Sequence, residues 1–326
     1  MTERRADDSA STDEHIPVLL QEVLTHLVGR AATSEATEKE SGIFVDATFG
    51  RGGHSRKLLE HLSARGQLLG LDRDPEALAE AQRLAAEDPR FSFHQARFSG
   101  LQGVLRSQRI DDVRGVLMDV GVSSPQLDRP ERGFSFAAQG PLDMRMNPDE
   151  GLSAAEWLNQ ADEAEIAQVL WMYGEERQSR RIARAIVAAR PLTTTLELAD
   201  LVAEALPRPR GPQRKHPATR TFQAVRIFVN EESQELDQGL QQGFRSLAVG
   251  GRLAVISFHS LEDRKVKHAF RQLSQPPKMP RRLPVRNLDQ EVQGRLIGGP
   301  LKPSLAELNA NPRSRSATLR VIEKVR

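Results

Sequence analysis

The stretch that decides the fold is residues 43–72, IFVDATFGRGGHSRKLLEHLSARGQLLGLD. It opens with a short apolar run, Ile43–Val45, of the kind found in buried parallel strands. The turn GRGG at 50–53 allows positive φ and lets a ligand approach without meeting a Cβ atom. A helix capped by Ser55 and ended by Gly66 follows, and a second apolar run completes the stretch. The pattern predicts a strand–turn–helix–strand unit.

An acid ends this unit. Asp72 lies at the predicted carboxyl end of the second strand, about 20 residues past the glycines, where ribose hydroxyls of nucleotide-type cofactors are usually held. Asp46, at the end of the first strand, would repel a pyrophosphate, and the turn lacks the G-x-G-x-x-G order of dinucleotide-binding proteins. S-adenosylmethionine carries a sulfonium and an α-ammonium, so its charge suits an acidic site. The sequence favours this cofactor over NAD, with turn capping as the alternative role for Asp46.

Strands and helices alternate through much of the chain. Further strands are predicted at 91–93, 115–120, 252–258 and 316–325, and the helix after the second strand is predicted to start at Asp74. Such alternation indicates right-handed crossovers and a parallel sheet, so the predicted fold class is α/β. Ligands lie over the carboxyl ends of strands in sheets of this kind. Four residues are expected to converge there: Gly52, Asp72, Phe98 and Asp119.

Changes in composition and hydrophobic pattern divide the chain into segments. Residues 1–14 are small, polar and charged, and we predict a disordered tail. From 128 to 229 the sequence changes to amphipathic helical patterns, several of them with capping-box starts. The apolar strand patterns resume after that point. We therefore predict one sheet domain in two parts, 15–127 and 230–326, interrupted by a helical insertion subdomain.

Composition narrows the class of protein. The 326 residues include no cysteine, which excludes disulfides, thiolate–zinc sites, iron–sulfur clusters and a cysteine nucleophile. No apolar run approaches the ~18 residues of a membrane helix, and no signal peptide opens the chain, so we expect a cytoplasmic protein with no membrane partner. The eight histidines show no ligand-type spacing, and no metal is predicted.

Basic residues are concentrated in four segments. The net charge is only +2, although the sequence pI is about 9.1. A single charged run is usually a solvated surface, but four of them in a nearly neutral chain favour a nucleic-acid track. Aromatic residues make up only 5%, so phosphate and shape contacts are expected to dominate over base stacking. The segments are 177–190, 208–220, 278–286 and 311–320.

Several strings of residues resemble one family, the ribosomal RNA small-subunit methyltransferase H family, also called the MraW family. The likeness extends over nearly all of the chain from His15 to Lys324. It implies a class I S-adenosylmethionine-dependent methyltransferase, with a Rossmann-like sheet interrupted by a helical insertion subdomain. It also implies N4-methylation of a cytidine in the decoding region of 16S rRNA, with the small ribosomal subunit as partner. The strings include FVDATFGRGGHS (44–55), LDRDP (71–75), MDVGVSSPQLD (118–128), GPLDMRM (140–146), HPATRTFQAVRIFVN (216–230) and GGRLAVISFHSLEDR (250–264).

The resemblance also assigns cofactor contacts. For Phe98 the alternative to stacking on adenine is a place in the core. His54 is expected to contact the cofactor through its backbone N–H, without using the imidazole. Asp119 has turn capping as its alternative. Carried over by motif, the contacts fall on Gly52, Gly53, His54, Asp72, Phe98, Asp119 and Gln126.

The sequence defines the residues that act on the methyl acceptor less clearly than the cofactor contacts. Residues 119–126, DVGVSSPQ, occupy the place of the Asn/Asp-Pro-Pro-aromatic loop with which DNA methylases act on exocyclic amines. Ser123 and Ser124 are the nearest oxygens there, with turn shaping as the alternative. Asp143 and His259 are rival candidates for orienting the amine or accepting its proton.

The sequence leaves three classes of function to compare. An RNA N-methyltransferase is favoured, and without a cysteine the methyl transfer is expected to be direct, with no covalent enzyme–RNA intermediate. A NAD-type oxidoreductase conflicts with Asp46 and the missing pyrophosphate pattern. A ribosome-assembly factor with a vestigial cofactor site conflicts with the intact Gly52, Gly53 and Asp72. The sequence does not define the oligomeric state.

Overall fold

Seven strands form a single sheet in the computed structural model, which describes residues 17–28, 40–207, 216–276 and 292–326. The strands are β1 (Ile43–Asp46), β2 (Gln67–Asp72), β3 (Phe91–Gln95), β4 (Val113–Asp119), β5 (Leu247–Ser257), β6 (Gly294–Leu296) and β7 (Thr318–Lys324). Their order is β3-β2-β1-β4-β5-β7-β6. Neighbours from β3 to β5 are parallel, and β7 is antiparallel to both β5 and β6. The predicted α/β fold is confirmed.

The helices connect and cover these strands. α2, α3 and α4 cross over between successive strands from β1 to β4, and α5 to α11 lie between β4 and β5 in the chain. The helices are α1 (Leu20–Leu27), α2 (Gly53–His61), α3 (Ala77–Glu87), α4 (Leu101–Ser107), α5 (Ser124–Asp128), α6 (Ala154–Gln160), α7 (Glu163–Gly174), α8 (Ser179–Ala188), α9 (Thr195–Ala205), α10 (Thr219–Val229), α11 (Glu232–Arg245), α12 (Ser260–Ser274) and α13 (Leu305–Ala310).

The helix after the glycine turn begins earlier than the sequence predicts. Gly52 is the N-cap of α2, with φ 73°, so Ser55 lies inside the helix. Ser55 Oγ donates a hydrogen bond of 2.7 Å to Asp46 Oδ2, and the predicted cap at Ser55 is therefore wrong. The helix also ends at His61, before the predicted stop at Gly66. The Ser55 hydroxyl therefore makes a tertiary hydrogen bond, whereas the local pattern assigned it to capping the start of the helix.

Two other bounds differ from the prediction. The Asp74 carboxylate accepts a hydrogen bond of 3.0 Å from Glu76 N, but the α-helix starts only at Ala77. The strand predicted to begin at residue 252 begins at Leu247, because the pairing of β4 with β5 continues past an irregularity. The ends of helices and strands depend on which backbone hydrogen bonds form, and residue preferences report these poorly.

The apolar side chains form a core on each face of the sheet and a further one in the insertion. α1, α2 and α3 cover one face, while α4, α11 and α12 cover the other. Helices α6 to α10 bury a hydrophobic cluster of their own, with Leu158, Ile166 and Phe222 among its members. The insertion thus has its own apolar core, and α11 belongs to the sheet through Leu236 and Leu240.

We expect Gly52→Ala to destabilise the protein. Its φ of +73° disfavours any Cβ, and an added Cβ would lie 2.8 Å from Cζ of the buried Phe49. Left-handed backbone costs about 1–2 kcal/mol and overpacking about 1–3 kcal/mol, so the free energy of unfolding should fall by about 2–5 kcal/mol. Gly103→Ala in α4 is the matched control. An added Cβ there meets no atom within 4 Å, so we expect a gain of about 0.5–1 kcal/mol. Equal midpoints of chemical unfolding for the two variants would contradict this.

Candidate functional site

A cleft lies over the carboxyl ends of the parallel strands, as expected for an α/β sheet. Its walls are formed by residues 47–51 after β1, 72–74 at the end of β2, 96–98 after β3, 119–123 after β4 and Phe258 after β5. The convergence predicted from the sequence is therefore confirmed for most of the named residues. The site residues predicted from the sequence that line this cleft are Gly53, His54, Asp72, Phe98, Asp119, Ser123 and Gln126.

Asp72 joins the glycine turn to the cleft. Its Oδ2 accepts a hydrogen bond of 2.7 Å from Gly50 N, and its Oδ1 accepts one of 2.9 Å from Asp74 N. Burial raises the pKa of Asp72 to about 6, since lost hydration outweighs the two backbone hydrogen bonds. Each carboxylate oxygen has a second lone pair, so the group retains acceptor capacity for ligand hydroxyls.

Asp119 is the most strongly perturbed acid of the cleft. Burial is the main cause that raises the pKa of its carboxyl to about 8, and the charges of Asp46 and Glu262 contribute to the same rise. Its buried Oδ1 makes no hydrogen bond with any of the residues that the structure describes. Burying a carboxyl without a hydrogen-bond or charge partner is unfavourable, and a bound cation would supply that partner. This unpartnered oxygen fits the cationic end of S-adenosylmethionine.

The imidazole of His54 is engaged within the protein. It is buried, and its Nε2 donates a hydrogen bond of 3.0 Å to Val18 O, which fixes the tautomer. Its Nδ1 then lies 3.7 Å from Asp119 Oδ2. The ring thus joins the segment before α1 to the acid at the end of β4.

The two adjacent glycines are required by protein contacts. Gly52 is not part of the cleft wall, and its added Cβ would meet Phe49. Gly53 lines the cleft, but an added Cβ would lie 2.7 Å from Cγ of Pro17. The glycine with open space is Gly50, where an added Cβ would have only a backbone oxygen within 4 Å. The sequence argument that glycine clears room for a ligand therefore applies to Gly50, which it did not single out.

Gln126 and Ser123 form one wall through the first turn of α5. Gln126 Oε1 accepts a hydrogen bond of 2.9 Å from Ser123 N, and its Nε2 donates one of 2.7 Å to Asp74 Oδ2. Both ends of this buried amide are thus bonded inside the protein. Ser123 is the N-cap residue and faces the cleft, whereas Ser124 is not among the lining residues.

The position of Phe98 is compatible with both of the roles that the sequence left open. It lines the cleft, and it also packs against α11, where an added Cβ at Gly239 would lie 2.8 Å from Phe98 Cβ. The ring is only partly buried. A base in the cleft can therefore reach it.

The structure does not bring Asp143 or His259 into this cleft. Asp143 is paired with Arg145, with Nε–Oδ1 and Nη2–Oδ2 distances of 2.9 and 2.7 Å. His259 is the N-cap of α12, and its Nδ1 accepts a hydrogen bond of 3.4 Å from Glu262 N. Asp143 was a candidate by its motif and His259 by its place after the fifth strand, but hydrogen bonds hold both side chains outside this cleft.

Residues that the sequence analysis missed lie on the side of the cleft formed by the insertion and α11. Met146, Glu232 and Glu235 all line it. Met146 belongs to an irregular loop, so no periodic pattern identifies it. The two glutamates are in the first turn of α11, where acids are usually explained by the helix dipole.

The basic segments are only partly described. Residues 208–215 and 278–286 lie outside the described residues. Within the segment 177–190, the arginines of α8 include exposed side chains at Arg180, Arg181 and Arg184. In the segment 311–320, Arg320 is bonded to Asp263 on α12.

Two further features concern the described ranges alone. In them no group of three His, Asp or Glu side chains is placed to hold a metal ion. The helices of the same ranges are all too short or too polar to cross a membrane.

The sheet and the cleft together define the class of protein. Five parallel strands in the order 3-2-1-4-5, extended by an antiparallel β7, form the class I S-adenosylmethionine-dependent methyltransferase sheet. The acids at the ends of β2 and β4 both line the cleft. Residues 12–325 match the profile of the MraW methylase family, and the chain belongs to that family. Its cofactor is S-adenosylmethionine.

Curated relatives match nearly the whole chain. A protein of Xanthomonas euvesicatoria pv. vesicatoria is 53% identical over 319 residues, which cover 95% of this chain and 89% of the relative. A protein of Nitrosococcus oceani is 51% identical over 322 residues, covering 97% and 99%. A protein of Stenotrophomonas maltophilia is 52% identical over 325 residues, covering 97% and 95%. All three are named ribosomal RNA small subunit methyltransferase H.

Proposed function

We propose that the protein methylates the exocyclic N4 of a cytidine in the decoding region of 16S rRNA, with the small ribosomal subunit as partner and the cytoplasm as location. The names of the relatives at 51–53% identity support the RNA substrate. The resemblance of the motifs to the same family supports the cytidine and its place in the RNA. The geometry of the site supports an extended acceptor beside the cofactor.

The observation that carries the proposal is a second groove, which shares Phe258 with the cofactor cleft. One side of the groove comes from the sheet, through His259, Ser260 and Lys302. The other side comes from the insertion, through residues 174–176 and the start of α10. An acceptor bound in this groove would lie next to the cofactor cleft, with Phe258 at the boundary between the two. A groove between the sheet and the insertion suits an extended single RNA strand.

Two cations line the groove, beside the acids Glu175, Glu176 and Asp263. Arg220, at the start of α10, is exposed, and its Nη1 lies 3.4 Å from the Glu175 carbonyl oxygen. On the sheet side of the groove, Lys302 donates a hydrogen bond to Thr318 Oγ1. These two cations face the groove from the insertion and from the sheet, and phosphate contacts of this kind position a nucleic acid without reading its bases.

The chain's own residues bind and orient the reactants. Bound S-adenosylmethionine supplies a methyl group on a positively charged sulfur. Asp119 holds the cationic end of the cofactor through its unpartnered Oδ1. Ser123, at the start of α5, accepts a hydrogen bond from the amine and orients its lone pair. The proton released by the methylated amine would leave to solvent through the groove that His259 helps to line.

A methyl-transfer assay tests this function. Small-subunit particles and naked RNA are incubated with the protein and tritiated S-adenosylmethionine, and the labelled nucleoside is identified after digestion. We expect N4-methylcytidine at one site. Label in another nucleoside would contradict the proposal, and cofactor binding without any transfer would favour the alternative of an assembly factor with a vestigial site.

We expect RNA with 5-fluorocytidine at the target position to be methylated as fast as unmodified RNA. Carbon-5 methylation starts with attack of a thiolate on carbon-6, and the sequence contains no cysteine. The exocyclic amine has its own lone pair, so no covalent intermediate is needed. Denaturing gels of the reaction, with unmodified RNA as the control, should show no protein–RNA adduct. An adduct that survives denaturation would overturn direct transfer.

A further inference from the structure

One wall of the cofactor cleft comes from the insertion, through Met146. The residue is buried and belongs to an irregular loop that follows Gly140. Met144, two residues earlier, has a φ of +63° and is fully buried. Positive φ at a buried non-glycine residue persists only where surrounding contacts impose it. The position of Met146 is therefore set by whatever holds this loop.

Arg132 holds the loop from one side. Its Nη2 donates hydrogen bonds of 2.8 Å to Met146 O and 3.1 Å to Arg145 O. Its Nη1 donates one of 2.9 Å to Asp74 Oδ2. The guanidinium is buried, so these bonds are shielded from water. Arg132 thus fastens the loop to the segment that follows β2.

Asn230 holds the loop from the other side. Its Oδ1 accepts a hydrogen bond of 2.7 Å from Met146 N, and its Nδ2 donates one of 2.7 Å to Met144 O. Its own carbonyl oxygen accepts one of 2.7 Å from Arg73 Nη1. Asn230 is also buried. Arg132 and Asn230 therefore both connect the loop to residues 73 and 74, directly after Asp72.

We infer that Met146 is a cofactor-binding residue that contacts the adenosyl half of S-adenosylmethionine, with Arg132 and Asn230 as its positioning residues. The inference rests on Asp72 as the ribose acceptor and does not depend on which RNA is methylated. A thioether beside an adenine ring gains favourable sulfur–aromatic contact, and its flexible chain fills the wall. The insertion that faces the acceptor thereby also completes the cofactor site.

Calorimetry with two ligands tests this assignment. S-adenosylhomocysteine has both halves of the cofactor, while methylthioadenosine has the adenosyl half alone. We expect Met146→Ala to weaken both ligands by the same factor, about tenfold, because the lost contact lies in the half that they share. Met146→Leu, which conserves the side-chain volume, should restore affinity to within about twofold. Met172→Ala is the matched control, since that methionine is 48% exposed on α7 and outside the cleft.

The positioning residues have their own prediction in the same assay. Arg132→Lys keeps the charge but loses the forked contact with the loop and Asp74, so it should weaken methylthioadenosine as Met146→Ala does. Unchanged methylthioadenosine affinity in a folded Met146→Ala protein would overturn the inference. So would a loss confined to S-adenosylhomocysteine, which would place Met146 at the methionine half. If the alanine variant fails to fold, Met146→Gln keeps the length, and normal binding of methylthioadenosine with normal transfer would overturn the inference equally.

Discussion

Asp119→Asn is expected to weaken S-adenosylmethionine binding by about 30- to 3000-fold. The asparagine keeps the shape of the side chain but cannot pair with the cationic end of the cofactor. Removing one partner of a buried charge pair costs about 2–5 kcal/mol, and each 1.4 kcal/mol is about tenfold in the dissociation constant. Calorimetry measures the loss directly. Asp112→Asn, an exposed acid at the opposite end of β4, is the matched control and should bind normally.

The pH dependence of the same binding reaction follows from the pKa of Asp119. Burial raises that pKa to about 8 in the free protein, so the carboxyl is largely protonated at neutral pH. A cation binds the ionised form, and binding must then release the proton. Affinity should therefore rise with pH, by up to about tenfold from about pH 6.5 to about pH 7.5, where an α-amino group stays mostly charged.

The groups that face Asp119 are Asp46, Glu262 and His54, and the first two oppose its ionisation. In Asp119→Asn the pH slope should disappear along with the affinity, because no carboxyl is left to titrate at that position. A parent protein with flat affinity over this range would show that the carboxyl is already ionised before the cofactor binds. An asparagine variant that binds as tightly as the parent would remove Asp119 from the site.

Asp72→Ala is expected to reduce cofactor affinity by more than about 100-fold. Two ribose hydrogen bonds to a charged acceptor contribute about 1.5–3 kcal/mol each, so their loss amounts to about 3 kcal/mol or more. The substitution also removes the acceptor for Gly50 N and Asp74 N, which loosens the turn. We expect the fold to persist, because β2 remains paired with β1 and β3.

A ligand without ribose hydroxyls separates the two effects of this substitution. The parent should bind 2′,3′-dideoxy S-adenosylhomocysteine much more weakly than S-adenosylhomocysteine, whereas Asp72→Ala should bind both with similar affinity. The coupling between ligand and residue then measures the ribose contact alone. If the variant discriminates between the two ligands as strongly as the parent does, another residue holds the ribose.

The sequence by itself determined the five parallel strands of the sheet and which acids lie at their carboxyl ends. Residues 43–72 predict β1, α2 and β2 because apolar runs and glycines act locally. Asp72 and Asp119 could be placed at the site because the carboxyl ends of parallel strands meet at one edge. The helical block between β4 and β5 was equally visible, since amphipathic periodicity and capping boxes are properties of neighbouring residues.

Only the tertiary structure decided what the side chains do at that edge. Ser55 bonds to Asp46 instead of capping α2, and the imidazole of His54 bonds to Val18 far earlier in the chain. Asp143, a candidate by motif, is held away from the cleft by Arg145. Met146 enters the cleft only because long-range hydrogen bonds fasten its loop to the end of β2. Such bonds join residues that are distant in sequence, and no local pattern encodes which partner a buried polar group will find.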